Sequence, residues 1–363
     1  MYRYFMPTKV FFGNEAWAEY GEMLNECGKK ALIVTGKNSA RISGALDDVL
    51  NQLKKYNKDV VIFDEIRENP DLTEVEKGRD IFKNSGCDFI IGIGGGSPLD
   101  AAKAIGVTAS NNLVGNEIYE PAKMKKICPI IAVPTTSGTG SEVTSSSVIS
   151  NRKENKKAGY SSELNFPKLA YVLPKYTMTL SEKVTRDTAT DALSHLLEGL
   201  YSHRRSPVIE PIIHRGVSLI YHNLITAMEN PNDEKARENL MLASVFGGMT
   251  IAQTGTTLQH SIGYPLTAEF GISHGLANGL VMKDIMELYY PFVKKELNDL
   301  FMSLNIAKED FYEFLHKLNL TADIKIDEKF LAKRIPEVMK SRNMNNNPFE
   351  IKEDSVRKIY LNL

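Results

Sequence analysis

The hydrophobic pattern changes character halfway along the chain. In the first half, short apolar runs alternate with segments of helical spacing. ALIVTG (31–36), VVIFDEI (60–66), DFIIGIGGG (88–96) and CPIIAVPTT (128–136) read as buried strands. Between them, ALDDVLNQLKKY (45–56), TEVEKGRDIFKNSG (73–86) and PLDAAKAIGVTAS (98–110) carry apolar residues at helical intervals. This alternation predicts a parallel sheet covered by helices. After Pro174 the strand signals nearly vanish. Long helical patterns follow: TRDTATDALSHLLEGLYS, PVIEPIIHRGVSLIYHNLITAM, DEKARENLMLASVFGGMTIAQTG and HGLANGLVMKDIMELYYPFV. A boundary near 178 predicts an α/β domain over 1–178 and an all-α domain over 179–363.

Composition narrows the class. The chain of 363 residues carries a net charge of −1, so no basic excess exists to hold a phosphate backbone, and nucleic acid is not an expected partner. No run approaches the ~18 apolar residues of a membrane span, and the start, MYRYFMPTKVFFG, is too broken by charge and proline for a signal peptide. A cytoplasmic protein without a membrane partner is expected. The three cysteines, Cys27, Cys87 and Cys128, form no CxxC pair, which argues against a thiolate metal site.

Two loops carry candidate ligand chemistry. The strand DFIIGIG runs into Gly94, Gly95 and Gly96, then Ser97 as an expected N-cap and Pro98 as the first helical residue. Free amides at such a helix start favour an anion such as a pyrophosphate. The GxGxxG spacing is not met, and a plain tight turn uses the same residues. PTTSGTGSEVTSSS (134–147) follows the next strand and is rich in hydroxyls. Its place after a parallel strand favours ligand contact.

The histidines are unevenly placed: all seven lie from His195 onward. Asp191 and His195, at i and i+4 in a helical pattern, share one face. His260 and His274 bracket a segment broken by the Tyr264–Pro265 step, with a second helix start before His274. One carboxylate and three imidazoles suit Fe(II), Zn(II) or a similar divalent ion. A solvated polar face and ordinary helix ends account for the same residues taken singly.

Taken in order, PTKVFFG, GIGGGSPLDAAKA, PTTSGTGSEVT, TDALSHLLEGLYS, HSIGYPL and ISHGLANGLVM make the chain resemble the iron-containing (group III) alcohol dehydrogenases, close to the NADPH-dependent butanol and 1,3-propanediol dehydrogenases. The resemblance implies a Rossmann-like dinucleotide-binding domain followed by an all-α metal-binding domain, the dehydroquinate synthase-like architecture. It implies Asp191, His195, His260 and His274 as metal ligands, acting in catalysis through the metal. It places the cofactor on Gly94, Gly95, Gly96, Ser97, Asp100, Thr135, Thr136 and Thr139, with Lys157 near the nicotinamide ribose. Many members carry a histidine four residues after the third ligand; here that position is Tyr264, a candidate proton relay. The implied reaction is hydride transfer between a nicotinamide and a short-chain alcohol, diol or aldehyde, in a homodimer.

NAD-preferring members often carry an aspartate where this chain has Gly36. Without that carboxylate, Lys37, Ser39 and Arg41 are free to bind a 2′-phosphate, so NADP(H) is expected over NAD(H). Ile251, Thr254 and Leu258 are expected to line an apolar substrate pocket. The rival readings are a zinc-dependent glycerol dehydrogenase, a dehydroquinate-synthase-like lyase, and a non-catalytic dinucleotide-binding redox sensor. The lyase needs basic residues for a phosphorylated substrate, which 240–280 lacks.

Overall fold

The computed structural model describes residues 2–154 and 156–363, without the side chains of residues 156 and 157. The strands among them are β1 (Lys9–Phe12), β2 (Lys30–Thr35), β3 (Asp59–Phe63), β4 (Phe89–Gly94), β5 (Ile130–Pro134), β6 (Ser146–Asn151), β7 (Lys156–Ser161) and β8 (Leu169–Val172). Six form one parallel sheet in the order β1-β8-β5-β4-β2-β3. Strands β4 and β5 are buried along their whole length, which is why they read as continuous apolar runs rather than alternating ones.

Helices α1 (Ala16–Tyr20), α2 (Ser39–Ile42), α3 (Ala45–Lys55), α4 (Leu72–Asn84) and α5 (Gly96–Asn111) belong to the same half. One core gathers Leu32, Val34 and Ile90 with Val75 and Ile105. A second gathers Ile33, Ile91 and Ile131 with Trp17, Leu46 and Val49. Helix α4 starts in a full capping box: Asp71 accepts from Thr73 N, and Glu74 accepts from Asp71 N.

The predicted strands and helices of this half are present within a few residues. Three features differ from expectation. The edge strand β1 and its neighbour β8 are four residues each, too short for a periodic signal. The antiparallel pair β6–β7 lies in a polar stretch with no apolar alternation. Helix α5 begins at Gly96 with Gly95 as its cap, so Ser97 is not the N-cap. Gly94, at φ 145°, turns the chain early, and a Cβ there would lie 2.7 Å from Pro98 Cγ. The Ser97 hydroxyl accepts from Asn69 N instead.

From Ser181 onward the described elements are helical: α6 (Glu182–Tyr201), α7 (Glu210–Glu229), α8 (Glu234–Thr254), α9 (Leu258–Phe270), α10 (His274–Leu280), α11 (Met282–Tyr289), α12 (Lys294–Leu304), α13 (Lys308–Lys317), α14 (Glu328–Met339) and α15 (Glu353–Leu361), with short 3-10 turns. The predicted break at Tyr264–Pro265 is absent; α9 runs through Pro265. Proline removes one intrahelical bond, but α9 is held laterally, with Tyr360 Oη donating to Ile262 O. No described helix is long and apolar enough to cross a membrane.

The chain divides into two compact units. One is Met6–Leu180; the other is Ser181–Leu363 together with Met1–Phe5. Phe5 joins the helical unit through paired amide bonds to Gln253: Phe5 N donates to Oε1, and Nε2 donates to Phe5 O.

One buried charge in the α/β unit tests this interior. Glu142 is almost wholly buried, its Oε1 has no hydrogen-bond partner, and burial pushes its carboxyl up to about 7 despite Lys103 nearby. A carboxyl raised in the folded state binds more protons folded than unfolded between its ordinary value and about 7, so folding loses stability as pH rises through that window. Glu142→Gln removes this loss. The variant is expected to gain on the parent from pH 4.5 to 8, by up to roughly 3 kcal/mol, in denaturant titrations across pH. A constant difference across that range would refute the assignment.

Candidate functional site

Helix α6 carries Asp191, His195 and Glu198 on one face, at i, i+4 and i+7. That face points into the protein: the three residues are 3%, 4% and 0% exposed. A solvated polar face is therefore not what this helix presents. Helix α9 supplies His260, and α10 supplies His274 as its first residue. Asp191 stands among them. Its Oδ1 lies 3.7 Å from His260 Nε2 and 3.8 Å from His274 Nε2, and its Oδ2 lies 3.9 Å from His195 Nε2. Donor atoms of Asp191, His195 and His260 all lie within 4.8 Å of one another.

Helix α10 reaches α6 this closely because Gly275 follows His274. A Cβ at Gly275 would lie 1.7 Å from Asp187 O and 3.2 Å from Asp191 Cβ. The start of α10 is also tied down, since Ser273 Oγ donates to Asp187 Oδ2 at 2.5 Å.

Glu198 sets the state of His260. Its Oε1 accepts from Thr257 N at 2.6 Å and Thr257 Oγ1 at 2.8 Å, and its Oε2 bonds His260 Nδ1. Burial alone would raise the Glu198 carboxyl; His260 and Thr257 outweigh it and hold it below the usual range. An ionised carboxylate only accepts, so the Nδ1 that faces Glu198 carries a proton, and Nε2, on the Asp191 side, is the ring nitrogen a metal ion would take. Asp191 behaves alike: burial raises it, and the three imidazoles bring it below its ordinary value.

The donor set fits a divalent cation. Asn278 Nδ2 lies 3.0 Å from Asp191 Oδ1, 3.2 Å from His260 Nε2 and 3.3 Å from His274 Nε2. One amide nitrogen thus faces a carboxylate oxygen and two ring nitrogens. A carboxylate oxygen and imidazole nitrogens gathered at this spacing are the ligand types such an ion takes. Glu198 behind His260 is the carboxylate–histidine arrangement that orients metal-binding imidazoles.

Glu198, Asn278 and Gly275 were not singled out from the sequence. Glu198 was open to discovery as the third member of the i, i+4, i+7 row. The roles of Asn278 and Gly275 depend on where α10 lands, which no local pattern carries. Tyr264 stacks on His274, with ring centroids 5.1 Å apart and planes 4° from parallel. Thr254 and Leu258 are fully buried, Leu258 within the helical core, and Ile251 is half-buried.

In the α/β unit, the other predicted residues gather at the carboxyl ends of adjacent strands. Gly36 follows β2, the glycine turn follows β4, and Thr135 follows β5. The connections leave β2 and β4 in opposite directions across the sheet, the switch point where open α/β sheets bind ligands. Thr136 and Thr139 pack on the turn: a Cβ on Gly95 would meet Thr136 Oγ1 at 3.2 Å, and one on Gly96 would meet Thr139 Cγ2 at 2.7 Å. Thr135 is buried, and its N donates to Gly94 O. Asp100 is engaged within the protein, accepting from Ser141 Oγ and Val148 N. Lys37 and Ser39 are exposed; Arg41 pairs with Asp64 at 3.2 Å. Lys157 lies in β7 opposite Ser150, with its side chain outside the described residues.

Comparison with known proteins bears on the family of the chain. The family model for iron-containing alcohol dehydrogenase matches residues 7–174, and the model for the C-terminal part of that family matches 185–363. A 1,3-propanediol dehydrogenase of Citrobacter freundii is 34% identical over 78% of this chain and 74% of its own length. An NAD-dependent methanol dehydrogenase of Bacillus methanolicus is 33% identical over 78% and 75%. An NADPH-dependent butanol dehydrogenase of Clostridium saccharobutylicum is 27% identical over 98% and 90%. The crystal structure of an iron-containing alcohol dehydrogenase from Thermotoga maritima superposes with a TM-score of 0.94 at 35% identity, covering 100% of this chain and 99% of that one.

The closeness of α10 to α6 gives a direct test. Gly275→Ala is expected to force the two helices apart and to cost about 1–3 kcal/mol or more, read as a lower melting temperature. A variant that melts with the parent would show that the approach is not tight.

Proposed function

The chain belongs to the iron-containing alcohol dehydrogenase family, and from this premise we propose that it reduces short-chain aldehydes and oxidises the matching alcohols or diols with NADP(H). It is an oxidoreductase acting on alcohols; the substrate length and the cofactor preference are the proposal. The cluster of buried Asp191, His195 and His260 with the partly exposed His274 is the observation that carries it.

In this reading those four side chains hold Fe(II), or Zn(II) in its place, and the turn at Gly94, Gly95, Gly96 and Ser97 holds the dinucleotide pyrophosphate with Thr136 and Thr139. A divalent ion held there would supply Lewis-acid polarisation of a substrate oxygen, and a bound nicotinamide would supply the hydride chemistry. Asp191 brings negative charge to a buried site. Glu198 keeps His260 in the tautomer whose Nε2 can ligate. Tyr264 packs flat on His274 and fixes its ring, and its hydroxyl is the candidate for passing a proton to solvent. We also read the protein as a cytoplasmic homodimer, to be checked by light scattering.

The test is NADPH oxidation with butanal by chelator-stripped protein, before and after anaerobic addition of Fe(II), with Zn(II) and NADH as parallel arms. Restored turnover, faster with NADPH, is expected; no turnover with any metal would overturn the reading. Glu198→Gln is expected to weaken Fe(II) retention about 10–100-fold, measured as metal content after graded chelation. Unchanged retention would remove Glu198 from its role.

NADP(H) preference rests on Gly36 and its neighbours Lys37, Ser39 and Arg41. A Cβ at Gly36 would lie 3.1 Å from Ile66 O, a contact that a few tenths of an ångström relieve. Gly36→Asp adds a carboxylate that favours a ribose hydroxyl and repels a 2′-phosphate. It is expected to move the ratio of kcat/KM values toward NADH by about tenfold or more. An unchanged ratio would count against the assignment.

A further inference from the structure

Lys103 lies two turns into α5 and is fully buried. Its Nζ donates to Ser141 Oγ at 2.8 Å, Thr144 O at 2.9 Å, Ser146 O at 3.0 Å and Thr144 Oγ1 at 3.3 Å. All four acceptors are uncharged and sit on the stretch that leads from the threonine-rich loop into β6. The opposite charge is one hydroxyl away: Ser141 Oγ, having accepted from Lys103, donates to Asp100 Oδ1 at 2.6 Å. Asp100 completes the clamp, with Oδ2 accepting from Val148 N at 2.9 Å and its carbonyl accepting from Ser147 Oγ at 2.9 Å. Residues 141–148 are thus fastened to α5 between Asp100 and Lys103.

Immediately before this clamp come Thr136 and Thr139, whose side chains rest on Gly95 and Gly96. Among the described residues, Asp100 and Lys103 fasten this stretch to α5. We infer that Lys103 is a positioning residue for the dinucleotide: through Ser141 and Asp100 it holds the threonine loop against the glycine turn. It sets cofactor affinity without touching the cofactor, being fully buried. The inference rests on the reading that the glycine turn takes a dinucleotide. A buried ammonium is costly unless it meets acceptors, and here it meets more than its three hydrogens can fill. Burial pushes it down to about 8, with Asp100 and Glu142 pulling the other way, so near pH 7 it remains a donor on all three hydrogens.

The test is fluorescence titration of full-length protein with NADPH and NADH, for the parent, Lys103→Met and Ser141→Ala. Melting curves and the split of KM against kcat are read alongside. Methionine keeps the bulk and removes the donors; alanine at 141 keeps both charges and removes the hydroxyl between them. Both variants are expected to raise Kd and KM for the dinucleotide about tenfold, while kcat at saturating cofactor stays within about twofold. A loss confined to melting temperature, or a fall in kcat at unchanged Kd, would overturn the inference. If Lys103→Met fails to fold, Ser141→Ala decides alone, and parental affinity in it overturns the role. A parent that binds neither dinucleotide would instead sink the cofactor reading beneath it.

Discussion

The helical unit is organised around a buried carboxylate, Asp191, with three imidazoles drawn close to it. Asp191 Oδ1 lies within 4 Å of both His260 Nε2 and His274 Nε2, and the Asn278 amide nitrogen lies within 3.3 Å of all three atoms. In a low dielectric such an arrangement is unfavourable unless a positive charge joins it. Helices α6, α9 and α10 each contribute to the cluster, and the close contacts between them, Gly275 on Asp187 and Ser273 on the same residue, keep the acceptors from moving apart. Chemistry and packing here share the same residues.

The two units treat buried charge in opposite ways. In the helical unit, Asp191 is held ionised by three imidazoles and Asn278, and Glu198 by His260 and Thr257. In the α/β unit, Lys103 is surrounded by neutral oxygens, and its carboxylate partner is reached through a hydroxyl. The first pattern concentrates acceptors toward one point. The second spreads one donor over a length of chain, which suits fastening a loop better than binding an ion.

Much of this was legible in the sequence, for physical reasons that differ by element. Strands β2, β4 and β5 are buried on both sides, so each is an apolar run, and the helices of this half carry the period of one buried face. Asp191 and His195 share a face by spacing alone. What could not be read depends on tertiary approach. Strands β1 and β8 are short and paired only with distant partners. Ser97 looked like a cap, but Gly94 turned the chain two residues earlier. Pro265 looked like a break, but α9 is held from its side by Tyr360. Asn278 and Gly275 acquire their roles only when α10 meets α6, and Lys103 only when residues 141–148 fold back on α5.

The sheet order also bears on how the protein is made. Strand β1 pairs with β8, Lys9 opposite Leu169, and β8 in turn pairs with β5. Strand β1 therefore leaves the ribosome about 160 residues ahead of the strand it pairs with. Contacts of such sequence separation form slowly, and N-terminal units generally fold first during synthesis. Through that interval β1, with two adjacent phenylalanines, is an unpaired edge. Its brevity and the lysine that opens it are features that keep such an edge from finding a foreign strand.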